Sequence, residues 1–298
     1  MSASPNRPLV GILWMVASGL MFVATTATVK HIGDRLPAPQ MSFLRYLMGL
    51  VFVLPGLLTL IRKPPSGQML KLYSARGVAH AMGVMCWFYA MTQITITEVT
   101  AMNYMTPIYV TIGAALFFGE RLAVRRIAAI TFAFIGALII LRPGFRELSP
   151  GHLSMIVAAL MLGASYLIAK RLTDDASPGA IVAAMSITVT IVLFPLALAV
   201  WVPPTWTEIG WLFLVAVFAT SGHYAMTMSF AAAPLTVSQP ATFLQLLWAT
   251  ILGAVVFSEP LDPWVILGGL VIFVSVCFIT WREHVLRIQA KTPPATTD

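Results

Sequence analysis

Ten long apolar runs set the strongest limit on what this chain can fold into. They cover roughly residues 9–30, 38–61, 74–94, 97–119, 124–141, 151–170, 178–201, 207–231, 235–257 and 263–281, with short polar or proline-containing breaks between them. A helix of about 20 apolar residues crosses the hydrocarbon core of a bilayer. The chain is also 59% hydrophobic and only 10% charged. The sequence therefore predicts an all-α integral membrane protein with ten transmembrane helices.

The basic residues indicate how these helices are oriented. The 18 Lys and Arg residues stand singly or in pairs between apolar runs, an arrangement typical of topology signals and not of a nucleic-acid-binding face. Thirteen of them, Arg76 included, fall on the face that the even-numbered loops share with both termini. Because loops rich in Lys and Arg stay in the cytoplasm, we expect both termini to be cytoplasmic.

One phrase occurs twice. ALFFGERL, at Ala115–Leu122, returns as AVVFSEPL, at Ala254–Leu261, after 139 residues, and Gly11–His31 matches Gly151–Arg171 at an offset of 140. These matches predict two five-helix repeats, residues 9–141 and 151–281, followed by a flexible cytoplasmic tail at 282–298. Five is odd, so the second repeat enters the membrane from the opposite side, as in the inverted repeats of secondary transporters. The alternative is a duplicated helical scaffold with no transport role.

The same phrases carry a family resemblance. The two helices that end in FFGERL and VFSEPL resemble those of EamA-type members of the drug/metabolite transporter (DMT) superfamily, and the likeness covers nearly the whole chain. EVTAMNYMTP, at Glu98–Pro107, is similar to the YddG amino-acid exporters, in which the residues matching Tyr104 and Thr106 line a central cavity. A member of that group carries an aromatic residue where this chain has Thr106. The resemblance implies a transporter in a bacterial inner membrane.

Polar residues near the middle of spans four and nine are the first candidates for a substrate site. Asn103, Thr106 and Pro107 share one face of span four, and Gln239, Thr242 and Gln245 follow the same spacing in span nine. Polar side chains at bilayer depth face a bundle interior or a water-filled cavity. Pro107 also leaves the carbonyl of Asn103 without its helical donor. The alternative is that these residues only hold helices together.

Aromatic residues and histidines complete the predicted site. An aromatic pocket suits amphipathic or aromatic amino acids, and His80 and His223 could bind a carboxylate, shuttle a proton, or simply pack. The predicted substrate-binding residues are Asn103, Tyr104, Thr106, Pro107, Gln239, Thr242, Phe243, Gln245, Trp248, Trp87, His80, His223 and Tyr166.

The carboxylates limit the mechanism. Each predicted span lacks a mid-span Asp or Glu, the usual relay of a proton-coupled carrier. Arg45, a charge within span two, could snorkel, pair with Glu98, or anchor a helix end.

The sequence thus predicts facilitated export of amino acids or similar small metabolites by alternating access, with membrane lipid as the other partner. The alternatives are an uptake carrier for a vitamin or nucleoside-like metabolite and a membrane-embedded enzyme. HExxH, GxSxG and Walker A motifs are missing from the sequence, so we expect no enzyme activity, metal or cofactor.

Overall fold

A computed structural model describes residues 8–62, 64–106, 108–109, 112–113, 124–142, 148–172, 175–232, 241 and 244–289. Regular structure within these ranges is entirely helical. The helices are α1 (Pro8–Ile32), α2 (Ala38–Gly49), α3 (Leu54–Arg62), α4 (Gly67–Gln93), α5 (Ile96–Asn103), α6 (Val124–Leu141), α7 (Pro150–Leu172), α8 (Pro178–Ala199), α9 (Trp206–Ala232), α10 (Leu244–Phe257) and α11 (Pro263–Gln289).

The surface of the bundle is apolar where lipid would cover it. Leu13, Ile191 and Val274 each expose more than half of their surface. Five described helices are long and apolar enough to cross a membrane, and three shorter apolar helices accompany them. The chain is therefore a multi-pass membrane protein.

Two predicted spans are interrupted, and a third is longer than expected. Span two changes to a 3-10 helix at Leu50–Val53 between α2 and α3. In span four, α5 ends at Asn103, the residue whose carbonyl loses its donor because residue 107 is proline. At the C-terminus, α11 continues to Gln289, so the first eight residues of the segment expected to be a flexible tail are helical.

The helix ends show the capping chemistry that their sequences suggest. The Ser177 hydroxyl accepts a hydrogen bond from the backbone of Ala180 at the start of α8. Thr205 and Glu208 form a reciprocal capping box before α9. Thr95 and Glu98 form another at α5. These contacts satisfy backbone donors that a helix start otherwise leaves unpaired.

The two halves of the chain pack mainly against each other. The most extensive contacts join α1 to α9, α4 to α7 and α6 to α11. Two glycines repeat one contact at the offsets found in the sequence. A side-chain carbon on Gly83 would lie 2.9 Å from Leu162, and one on Gly222 would lie 3.3 Å from Phe22. The internal sequence repeat is therefore also a repeat of contacts.

Glycines in the other helices serve two different purposes. Gly136 and Gly268 bring the backbones of α6 and α11 together, because a carbon on Gly136 would lie 2.7 Å from the Gly268 carbonyl oxygen. A carbon on Gly253 would instead collide with the carboxylate of Glu259. Gly253 lies in the repeated helix that precedes Glu259, where its missing side chain suggests close helix packing, but in the structure it leaves room for the Glu259 side chain.

One end of the bundle collects most of the polar contacts. It is the end where α1 and α4 finish and where α5, α7, α9 and α11 begin, and we call it the distal end. Gln40 donates to the Val202 carbonyl at 2.6 Å, and the His31 ring packs on Trp211 with centroids 4.8 Å apart. These contacts join the first half of the chain to the second.

Candidate substrate site

Six side chains from four helices meet inside the bundle. We call them the central cluster: Arg45, Tyr46, Arg76, His80, Tyr166 and His223. Arg45 and Tyr46 come from α2, Arg76 and His80 from α4, Tyr166 from α7 and His223 from α9. Both halves of the chain therefore contribute to the cluster.

His80 organises the cluster through both of its ring nitrogens. Its Nε2 lies 2.7 Å from the Tyr46 hydroxyl, and its Nδ1 lies 3.2 Å from the Ser165 hydroxyl. His80 and Tyr46 are almost completely buried. Because both nitrogens already have protein partners, His80 fixes the position of Tyr46 in this structure and keeps no ring nitrogen free for a ligand.

The two arginines of the cluster are buried inside the bundle, and each lies on an apolar helix. Arg45 exposes 5% of its surface and Arg76 exposes 7%. The Arg45 guanidinium lies 4.0 Å from the centre of the Tyr46 ring, and Arg76 donates to the Ile181 carbonyl at 3.0 Å. The Nε atoms of both arginines have no hydrogen-bond partner among the described residues.

Both arginines depart from the expectations drawn from sequence. From its place in the sequence, Arg76 was expected among the basic residues of the cytoplasmic loops. In the structure it is an interior residue. Arg45 does not pair with Glu98, because that carboxylate bonds to Thr95 and lies 3.2 Å from His152 Nε2. For the two arginines, the sequence signal was a charged residue inside an apolar run.

Tyr166 and His223 give the cluster an open side. Tyr166 exposes 37% of its surface, and its chain neighbour Ser165 lies 3.2 Å from His80 Nδ1 in the interior. His223 is also partly exposed. We interpret this accessible surface as facing the interior of the bundle, where small-molecule sites form.

Trp87 borders the cluster through an aromatic contact. The Phe22 ring lies 5.0 Å from the His223 ring and 6.5 Å from the Trp87 ring, measured between centroids. The buried Nε1 of Trp87 has no hydrogen-bond partner among the described residues. Four of the predicted site residues, namely His80, Trp87, Tyr166 and His223, are thus brought together.

The predicted residues of span four lie apart from this cluster. Tyr104 is buried, its ring lies 6.1 Å from that of Phe273, and its hydroxyl contacts the backbone of Leu246. The Thr106 hydroxyl is buried and donates to Asn103 at 3.4 Å. These contacts resemble interhelical packing, the alternative that the sequence left open.

The predicted residues of span nine are only partly described. Gln245 packs against α1 at Gly19. Trp248 joins a small apolar cluster around Val23, Ile96 and Ala249. Pro107, Gln239, Thr242 and Phe243 lie outside the described residues.

Glu259 ties three chain segments together at the distal end. Lys30 Nζ lies 2.6 Å from Glu259 Oε1 and donates to the Ile94 carbonyl at 2.8 Å. The Ile96 backbone N–H, at the start of α5, donates to Glu259 at 3.0 Å. We call this set of contacts the distal latch. It uses the acid of the repeated phrase together with a lysine that also has a match in the repeat.

The distal latch belongs to a wider set of ion pairs. Four ion pairs between described residues join the first half of the chain to the second: Lys30–Glu259, Arg35–Glu208, Arg142–Asp262 and His152–Glu98, the last of these ionic only when the histidine is protonated. All four lie at the distal end. The two halves are therefore fastened to each other at this end of the bundle.

The architecture defined by these features is a helical membrane protein with two matching halves and a polar cluster between them. The sequence profile of the EamA-like transporter family matches residues 9–142 and again residues 149–281. The chain therefore belongs to the EamA family, within the DMT superfamily, as the repeated phrases predicted.

Similar proteins move different small molecules in different directions. A riboflavin transporter of Rhizobium johnstonii is 29% identical over 286 residues, which are 95% of each chain. An S-adenosylmethionine uptake transporter of Rickettsia felis is 25% identical over 92% of this chain and 94% of its own. The pseudopaline exporter CntI of Pseudomonas aeruginosa is 26% identical over 89% of this chain and 94% of its own.

A solved crystal structure shares the fold. It is 15% identical and covers 93% of this chain and 98% of its own, with a TM-score of 0.60. The family match and the transporter relatives together identify the chain as a small-molecule transporter of the DMT superfamily.

Proposed function

We propose that this protein carries a small amphipathic metabolite across the bacterial inner membrane by alternating access, as a ten-helix carrier with two inverted repeats. The observation that carries the proposal is the distal latch. Lys30 of the first half and Glu259 of the second hold the distal end together through contacts that can break without unfolding any helix. Such a contact suits a carrier that opens one end at a time.

The internal repeat supplies the other half of this cycle. Offsets of 140 and 139 pair Lys30 with Lys170 and Glu259 with Glu120. In an inverted repeat, these two mates belong to the opposite end of the bundle. We infer that Lys170 and Glu120 form the matching contact when the cytoplasmic end closes, so that only one of the two contacts is intact at a time.

Export of an amino acid or a similar metabolite is the direction and cargo that we propose. The predicted aromatic site residues Trp87 and Tyr166, beside or within the central cluster, support a substrate with an apolar or aromatic body. Uptake of a vitamin or nucleoside-like metabolite is the second candidate, because the riboflavin and S-adenosylmethionine relatives carry such compounds. We further propose that transport is facilitated, since each predicted span lacks a mid-span carboxylate to relay protons.

Counterflow in proteoliposomes tests this proposal. Vesicles are loaded with one unlabelled compound from a panel of aromatic and aliphatic amino acids, riboflavin and S-adenosylmethionine, and entry of the labelled compound is followed with no ion gradient. Saturable exchange of at least one compound, above protein-free vesicles, is expected. If every compound crosses no faster than in protein-free vesicles, the transport proposal fails for this substrate range.

The driving force is tested in the same vesicles. With an exchanged compound identified, a pH gradient of either sign is imposed in the absence of a substrate gradient. We expect no accumulation. Accumulation of the compound above its external concentration would refute facilitated transport and establish proton coupling.

A further inference from the structure

We propose that the central cluster is an anion site that holds a carboxylate or phosphate group of the transported molecule between Arg45 and Arg76. This inference rests on the proposed transport function and narrows its substrate to organic anions or zwitterions. It assigns the binding contacts to two arginines that sequence analysis left outside the substrate site.

The charges of Arg45 and Arg76 are uncompensated. Both arginines are more than nine-tenths buried, and neither has a carboxylate within ion-pair distance among the described residues. Glu98, the acid that the sequence offered as a partner for Arg45, bonds to Thr95 at the distal end. Burying an unpaired charge is costly, so two buried arginines without acids favour a ligand that brings negative charge.

The cluster and its neighbour Trp87 contain more hydrogen-bond donors than acceptors to pair with them. Arginine has only N–H donors, and so does the tryptophan indole. The Nε atoms of Arg45 and Arg76 and the Nε1 of Trp87 are all buried without an acceptor among the described residues. A ligand group that pairs these atoms must offer acceptors, and an anionic acceptor also compensates the two arginine charges. Carboxylate and phosphate oxygens meet that requirement, and the planar guanidinium fork matches both.

The two arginines differ in the contacts that they already make. Arg76 already anchors α4 to α8 through the Ile181 carbonyl, so it has a structural role as well. Among the described residues, the Arg45 guanidinium contacts the Tyr46 ring, and His80 holds that tyrosine through its hydroxyl. Arg45 is therefore the principal anion-binding residue, and His80 and Tyr46 are positioning residues.

A ligand can reach the cluster beside Tyr166 and His223, which keep accessible surface. Their helices, α7 and α9, belong to the second half of the chain, whereas the arginines belong to the first. An anion bound here would touch both halves, which is the placement that couples binding to their relative movement.

Matched ligand pairs test the proposal on the purified full-length protein. One pair is N-acetyltryptophan and N-acetyltryptophanamide, and the other is riboflavin 5′-phosphate and riboflavin. Each pair shares an aromatic body and differs in the anionic group. Affinity is measured from the ligand dependence of the thermal unfolding midpoint, and counterflow of the same compounds is measured in proteoliposomes.

The anionic member of at least one pair is expected to bind wild type about tenfold or more tightly than its neutral partner. Arg45→Gln should remove that difference and leave the affinity for the neutral member unchanged. Arg171→Gln is the matched control, since Arg171 is a half-exposed arginine that pairs with Asp175. It should retain the full anion preference.

Three results would overturn the anion site: equal affinity for both members of each pair, no binding of any of the four compounds, or an equal loss of both members in Arg45→Gln. Counterflow of the neutral members alone would overturn this site while leaving the transport proposal intact. If Arg45→Gln does not fold, Arg45→Lys keeps the charge but not the planar fork, and it should show a smaller loss of the same preference.

Discussion

Removing the charge of Glu259 should open the distal end. The ion pair is partly enclosed, because the Glu259 side chain exposes 8% of its surface and that of Lys30 exposes 21%. A hydrogen bond to a charged group contributes about 1.5–3 kcal/mol, and a neutral one about 0.5–1.5 kcal/mol. Glu259→Gln keeps the shape of the side chain but replaces the charged hydrogen bond with a neutral one. The distal contact therefore loses about 1.5 kcal/mol, which corresponds to about a tenfold shift toward the open distal end.

Truncation should have a larger effect than neutralisation. Glu259→Ala also leaves Lys30 and the Ile96 N–H without the carboxylate, at a cost of about 3 kcal/mol, or roughly a hundredfold shift. Glu208→Gln is the matched control, because Glu208 also joins the two halves but its partner Arg35 is half-exposed. Exposed ion pairs contribute about 0–1 kcal/mol, so this variant should shift the equilibrium by about fivefold at most.

Cysteine accessibility measures the opening. In a protein with Cys86 and Cys277 replaced by Ala, Ala249→Cys places a thiol in the apolar cluster that packs around Val23 and Ile96. Its rate of reaction with a membrane-impermeant maleimide, added from each side in turn, reports exposure of the distal end. The expected order of rates is Glu259→Ala, Glu259→Gln, Glu208→Gln, then the parent protein. Equal rates in all four proteins would refute the latch.

Two backbone positions yield further predictions. Gly268→Val should lower the thermal unfolding midpoint by several degrees, because a side-chain carbon at this position would lie 2.5 Å from the Gly136 carbonyl oxygen. Gly210→Ala is the control and should change the midpoint little, because a side-chain carbon there would have nothing within 4 Å. Equal midpoints for the two variants would contradict the close approach of α6 and α11. Ser258 has a φ of 54°, a left-handed conformation that costs a residue other than glycine about 1 kcal/mol, and its repeat mate is Gly119. Ser258→Gly should therefore leave the unfolding midpoint unchanged or raise it, and Ser258→Val should lower it. If Ser258→Gly lowers the midpoint as much as Ser258→Val does, residue 258 does not have the left-handed conformation.

At the candidate substrate site, the sequence predicted some of the residues that the structure brings together. His80, His223, Trp87 and Tyr166 were predicted from their residue types at bilayer depth, and the structure gathers them in one place. Tyr104 was favoured by family resemblance, but its side chain packs between helices. Because lipid tails and neighbouring helices are equally apolar, a transmembrane sequence carries little pattern that says which face of a helix points inward.

Sequence by itself determined the features that depend on local composition. Apolar run length indicated a membrane protein, the phrase around Glu120 and Glu259 revealed the repeat, and serine, threonine and proline marked the helix starts. These properties follow from short-range hydrogen bonding and from hydropathy, which act within one helix.

Only the tertiary structure decided which distant charges meet. Lys30 and Glu259 are far apart in the chain, and no local pattern links them. Their pairing depends on how the two halves dock, because the free energy of a buried charge is set by the neighbours that surround it and not by its place in the sequence. The distal latch and the central cluster are both products of that docking.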